Sequence, residues 1–163
     1  MRRRPLMVAT LTAAALGADQ AMKWVVLTQV MQPPRVIEVT PFFNLTLGFN
    51  TGVSFGMFGE AFASRPGLLA LLTLMIVVAI LAWALRARAA WEQSGLSLIA
   101  GGALGNILDR WRQGAVTDFL DFHWRGWHWP AFNGADVFIS LGVLMLLVAG
   151  FKPVPKPETE EQE

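Results

Sequence analysis

The chain has 163 residues, of which 54% are hydrophobic and only 15% charged, with seven tryptophans, no tyrosine and no cysteine. Soluble domains carry about 25% charged residues, so this composition points to a membrane protein with enough chain for one domain. A net charge of +1 with scattered basic residues excludes a nucleic-acid surface, and the lack of cysteine excludes a disulfide framework, a thiolate nucleophile and a cysteine metal site.

A bilayer core takes a helix of about 20 mostly apolar residues. The first candidate, Leu6 to Leu27, is long enough but carries Asp19 and Lys23, four apart. Arg2–Arg4 followed by Leu6–Leu16 has the form of a cleavable signal segment. The apolar stretch resumes after Asp19, however, which favours a retained span. Thr28 to Arg65 holds Pro33, Pro34 and Pro41, then the glycine-punctuated alternation of Phe42–Phe49. This predicts short strands at the membrane surface. Pro66 to Leu85 is an uncharged span. Ser94 to Asp109 is shorter and glycine-rich, a span only when packed among others. Arg110 to Asn133, with Trp124, Trp127 and Trp129, predicts an interfacial element. The fourth span, Asp136 to Phe151, has its only charge at its first residue. Residues 1–151 are thus expected to form one domain. The proline-rich, then acidic, tail 152–163 is expected to be disordered and without a catalytic role.

Basic residues orient such spans. Arg2, Arg3, Arg4, Arg86, Arg88, Lys152 and Lys156 fall on one side, and Arg35, Arg65, Arg110, Arg112 and Arg125 on the other. The N-terminal triplet favours both termini in the cytoplasm. Trp24, Trp83 and Trp111 fall near span ends, where indoles prefer to sit.

Ionisable groups at membrane depth are costly and need a partner or a function. In this topology Asp19, Asn106, Asp109, Asn133 and Asp136 reach a similar depth near the outer face, with Arg110 and Asp118 just beyond. Gly102, Asn106 and Asp109 share one helical face. Asn133, Asp136 and Ser140 share another. Each has a plain alternative. Asp19 and Lys23 suit simple neutralisation. Gly101 and Gly105 suit helix packing. Asn133 or Asp136 suits a helix N-cap. Arg110 suits an interfacial anchor or a partner for Asp109, and Asp118 alone suits an ordinary loop residue.

Other chemistries fit less well. Gly52-Val53-Ser54-Phe55-Gly56 has the spacing of a nucleophile elbow, but that motif needs a parallel sheet for which this chain has no room. A serine–lysine dyad is weak, since Lys23 is the only lysine outside the tail. His123 and His128 form no zinc-peptidase motif. A carboxylate pair sharing a proton remains, and it needs no cofactor and no metal. Asp19, Asp109, Asp118 and Asp136 all stay candidates. A proton-coupled transporter is the competing class, and it predicts ionisable groups through the full depth of the bundle. A purely structural bundle leaves the convergence of polar groups on one side unexplained.

Five motifs in order resemble those of lipoprotein signal peptidase, or signal peptidase II, of bacterial inner membranes. They are Asp19 with Lys23; Asn50-Thr51-Gly52-Val53-Ser54-Phe55; Gly101-Gly102-Ala103-Leu104-Gly105-Asn106 with Asp109-Arg110; Gly114-Ala115-Val116-Thr117-Asp118-Phe119; and Phe132-Asn133-Gly134-Ala135-Asp136. The resemblance implies an aspartic endopeptidase cleaving prolipoprotein signal peptides just before a diacylglyceryl-modified cysteine. It implies Asp118 and Asp136 as the catalytic pair. Asp19, Asn50, Asn106, Asp109, Arg110 and Asn133 would line or brace the site. The implied fold is an all-α integral membrane protein, expected to be a monomer. It would have four transmembrane helices, a small extracytoplasmic β-cradle over Phe42–Phe58 and a short outer helix near Phe119–Trp129. Prolipoprotein and membrane lipid are the implied partners.

Overall fold

The computed structural model describes residues 3–52 and 66–150. Helix α1 (Arg3–Val25) runs through a π-type turn (Val26–Val30) into a hairpin of β1 (Ile37–Thr40) and β2 (Phe43–Asn50). Helices α2 (Pro66–Arg86) and α3 (Ala90–Gln113) follow, then β3 (Val116–Trp124), β4 (Trp127–His128) and α4 (Gly134–Gly150). The four strands form one antiparallel sheet in the order β1-β2-β3-β4.

Each helix's pattern explains where it lies. On α1 the buried residues are Val8, Thr12, Ala15, Asp19 and Lys23, spaced by three or four, so one stripe faces inward. α2 buries Ala70, Val77 and Ala84 but exposes Leu71, Met75, Ile76 and Val78. An apolar helix that exposes this much surface is suited to lipid rather than water. Among the described residues it is the one helix long and apolar enough to cross a membrane; Gly134–Ala149 is as apolar but shorter. The four expected spans therefore all appear as helices, while composition alone qualifies one of them. The third, expected to be short, runs for 24 residues.

α3 is the central helix, and its glycines allow this. A Cβ on Gly101 would lie 2.6 Å from the Thr12 carbonyl oxygen and 2.7 Å from Ala15 Cβ, both on α1. One on Gly95 would lie 2.9 Å from the Gly142 carbonyl oxygen of α4. Small residues on two faces thus let two helices approach α3 at backbone distance, as expected for Gly101, while a Cβ on Gly105 would meet the Asp19 side chain.

α3 ends at Gly114, whose φ of 78° is left-handed and whose N–H donates to the Arg110 carbonyl at 3.0 Å. β3 starts two residues later, so Asp118 is delivered beside the end of α3. Asn50 ends β2, opposite Val116, and Gly48 faces Asp118 across the strand pair. The cradle expectation holds for Phe43–Asn50, while residues 53–58 lie outside the described part. The expected helix near Phe119–Trp129 is corrected to β3 and β4. Arg125 (φ 51°) and Gly126 (φ 83°) both occupy left-handed space, as a two-residue hairpin turn requires. Phe43 and Phe122, paired across β2 and β3 with ring centroids 4.9 Å apart, add side-chain stabilisation to the sheet.

Gly101→Ala forces a methyl group against the α1 backbone. It is expected to destabilise the fold by about 1–3 kcal/mol. Thermal unfolding in detergent checks this, and a melting temperature equal to the parent's contradicts the packing described.

Candidate active site

The C-terminal ends of α1 and α3 meet the N-terminus of α4 beneath the sheet, and the buried charged residues Asp19, Lys23, Asp109 and Asp118 gather there. Lys23 is the hub. It is 3% exposed and Asp19 is fully buried. Lys23 Nζ lies 2.9 Å from Asp19 Oδ2 and 2.8 Å from Asp109 Oδ2. It also donates to Asn106 Oδ1 at 3.1 Å. One buried cation therefore holds two buried carboxylates and orients one amide. Asp109 takes Lys23, not the neighbouring Arg110, as its cation. Asp109 also accepts from Gln20 Nε2 at 2.9 Å and from the Thr117 N–H at 3.1 Å, which fixes the start of β3.

The second layer faces the cavity. Asn106 has its oxygen toward the ammonium, so its Nδ2 is left to donate to Asp136 Oδ1, at 3.1 Å. Asn133 Nδ2 donates to Asp118 Oδ1 at 2.6 Å and to Asn106 Oδ1 at 3.3 Å. Asn133 and Asp136 also cap α4 reciprocally: the Asn133 N–H donates to Asp136 Oδ2 at 3.1 Å, and the Asp136 N–H to Asn133 Oδ1 at 3.2 Å. Asp19 Oδ1 satisfies a further free donor of that terminus, the Ala135 N–H, at 2.8 Å. The N-cap and ion-pair alternatives for Asn133 and Asp19 are thus both realised, and both serve the site.

Asp118 and Asp136 line one cavity of about 800 Å³, with Gly48, Asn50 and Ser140. The rest of its wall is largely apolar, including Phe49, Trp129, Phe132 and Leu144. Burial pushes the Asp118 carboxyl up to about 6. The Asn133 amide opposes that rise, and the nearby negative charge of Asp136 adds to it. Arg110 Nη2 donates to the Gly52 carbonyl at 2.6 Å, and its buried Nε has no hydrogen-bond partner among the described residues. No group of three or more His, Cys, Asp or Glu side chains suited to a metal occurs among the described residues. Ser54 lies outside the described residues. His123 and His128 sit on β3 and β4 rather than in this network.

All of the predicted site residues join one continuous network around Lys23, Arg110 through its Nη1 donating to the Asn106 carbonyl at 3.4 Å and Asn50 through a side-chain hydrogen bond to Asp118. Asn50 also stands on the cavity wall, and Arg110 also donates to the Gly52 carbonyl. Sequence reasoning did not find the Lys23–Asp109 pair or the roles of Gln20 and Thr117. The available signal was a lone lysine at membrane depth, which demands more than one polar partner.

A family model described as Signal peptidase (SPase) II matches residues 11–152. A lipoprotein signal peptidase of Aeromonas hydrophila is 39% identical over 150 residues, covering 91% of this chain and 90% of that protein. One from Serratia marcescens is 37% identical over 143 residues, covering 88% and 84%. A solved structure described as a bacterial membrane enzyme superposes with a TM-score of 0.78 at 28% identity, covering 95% of this chain and 94% of that one. These matches define the chain as an aspartic peptidase. It belongs to the signal peptidase II family.

Lys23→Met leaves two buried carboxylates without their cation. The expected loss is about 3–5 kcal/mol, read as a fall in folded yield and melting temperature. Adding Asp109→Asn to Lys23→Met is expected to recover part of that loss. A Lys23→Met protein as stable as the parent contradicts the role assigned to the ion pair.

Proposed function

We propose that the chain removes signal peptides from prolipoproteins, with Asp118 and Asp136 as its catalytic pair. The observation that carries the pairing is the amide bridge. Asp118 arrives on a strand and Asp136 on a helix, yet Asn133 donates to one and shares a reciprocal cap with the other. Two carboxylates in one cavity, one shifted up by burial, suit a shared proton.

The chemistry then balances as follows. The ionised aspartate takes a proton from water as its oxygen attacks the scissile carbonyl carbon. The protonated aspartate gives its proton to the carbonyl oxygen. On collapse the carbon–nitrogen bond breaks, the leaving amine gains a proton, and the pair again holds one proton. In this reading Asn50, on the cavity wall, and Arg110, bonded to the Gly52 carbonyl, hold substrate backbone carbonyls.

The substrate reading follows the relatives, which are named lipoprotein signal peptidases. The cavity supports it, since an apolar wall beside two carboxylates suits a lipid-bearing peptide. Lipid on the substrate adds membrane affinity of about 0.8 kcal/mol per buried methylene. In this reading all four helices span a bacterial inner membrane, both termini are cytoplasmic and the sheet lies at the outer face. The full family reading cleaves just before the diacylglyceryl cysteine. The proton-coupled transporter gains no support from the placement of charge. Among the described residues the buried ionisable groups, Asp19, Lys23, Asp109, Asp118 and Asp121, all belong to the sheet end.

Asp118→Asn and Asp136→Asn are each expected to fold and insert but to lose cleavage of a lipid-modified precursor, assayed in detergent or vesicles. Normal turnover by either variant overturns the assignment. The pH–rate profile of the parent is expected to be bell-shaped, because the singly protonated pair is the active form. Asn133 favours the ionised form of Asp118, so Asn133→Ala is expected to move the limb governed by Asp118 to higher pH. A limb that stays in place, or moves to lower pH, contradicts the bridge.

A further inference from the structure

One buried acidic group at the sheet lies outside the catalytic network. Asp121 is on β3, three residues beyond Asp118, and its carboxylate is buried opposite Asn44 of β2. Asn44 Nδ2 donates to Asp121 Oδ2 at 3.3 Å. His128 Nδ1 lies 2.9 Å from Asp121 Oδ1 and 3.0 Å from Oδ2. The His128 ring also stacks on His123, its register partner, with centroids 5.2 Å apart. One carboxylate thus ties β2, β3 and β4 together through side chains.

What it holds is the cavity wall. β4 is only two residues long, and Trp129 to Phe132 follow it directly. These four residues all line the 800 Å³ cavity. Trp129 and Phe132 also line a second, aromatic cavity of about 370 Å³. Trp129 and Phe132 therefore lie between two cavities, Trp129 packed edge-on against Trp127 with ring centroids 5.8 Å apart and Phe132 stacked on Phe122 at 5.9 Å. Besides these ring contacts, the segment is held from its flanks and by its backbone bonds to β3, Trp129 N–H to Phe122 O at 2.8 Å and Phe132 N–H to Leu120 O at 3.1 Å. Asn133 fixes the far flank through the cap of α4. His128 is the last residue before the near flank.

We propose that the Asp121–His128 pair is a clasp that sets the position of the Trp129–Phe132 wall, which makes both of them positioning residues for substrate binding. The inference rests on the peptidase reading. Asp118 and Asp136 take Asn133, Asn106 and Asn50 as their side-chain partners, none of them a member of the clasp. Loosening the wall removes contacts made equally to bound substrate and transition state, which raises KM and leaves kcat in place.

The test is steady-state cleavage of a diacylglyceryl-modified precursor by the full chain and by His128→Ala, Asp121→Ala and the double variant. Loss of one charge-assisted hydrogen bond at a half-exposed site is expected to raise KM roughly three- to tenfold in each single variant. The double variant is expected to match the singles, since the pair acts as a unit. kcat is expected to stay within about twofold of the parent. His128→Asn, which returns an amide donor near the Nδ1 position, is expected to restore KM, and it decides the question if the alanine variants do not fold. Unchanged KM in the alanine variants, additive effects in the double, a fall in kcat alone, or a KM in His128→Asn as high as in a clasp-free variant each overturn the clasp. A parent protein that does not cleave the precursor refutes the peptidase reading instead, so the two failures are distinguishable.

Discussion

The position of one lysine organises this structure. Lys23 sits almost fully buried among helices, where an unpaired ammonium is unaffordable. It is stabilised by Asp19 on its own helix and Asp109 on α3. That ion-pair triad fixes how α1 and α3 meet at the sheet end. It also has a second effect. With the ammonium holding Asn106 Oδ1, the amide has one orientation left, and its N–H group is delivered to Asp136. The charge at the centre of the bundle therefore sets the hydrogen-bond polarity of the layer above it.

Around that centre, each free helix end is put to use. The carboxylate of Asp19 satisfies an N–H at the start of α4, and Asn133 and Asp136 satisfy two more between themselves. Gly114 stops α3 so that β3 can start beside Asp109, whose carboxylate receives the Thr117 N–H. Asp118 is the next residue. The two cavity aspartates are thus positioned by a helix cap in one case and by a helix stop in the other. Glycines at Gly95, Gly101 and Gly105 make this possible, because a side chain at any of them would separate helices that must touch.

Much of this was legible in the sequence. Asp19 and Lys23 at i, i+4 announce their ion pair, and Gly101 and Gly105 announce close packing. Asn133 or Asp136 announces a helix N-cap, which the structure makes reciprocal. The sheet was harder to read. Val116 to Trp124 is dense in aromatic and β-branched residues, yet an interfacial helix shares that composition. The deciding signal was small: His123-Trp124 and Trp127-His128 mirror each other about Arg125-Gly126, the two residues that take positive φ. Long-range pairs such as Lys23 with Asp109 leave no periodic trace in the chain. Among four candidate aspartates, local pattern did not separate Asp118 from the rest, because its partners come from α4 and β2 rather than from its own neighbours.

The central claim is that this carboxylate pair hydrolyses a peptide bond presented from the lipid boundary. Its most direct measurement is cleavage by the purified protein of a diacylglyceryl-modified prolipoprotein beside its unmodified twin. Release of the signal peptide is expected from the modified precursor, with little or none from the twin. Failure to cleave either precursor, or equal cleavage of both, would contradict the claim.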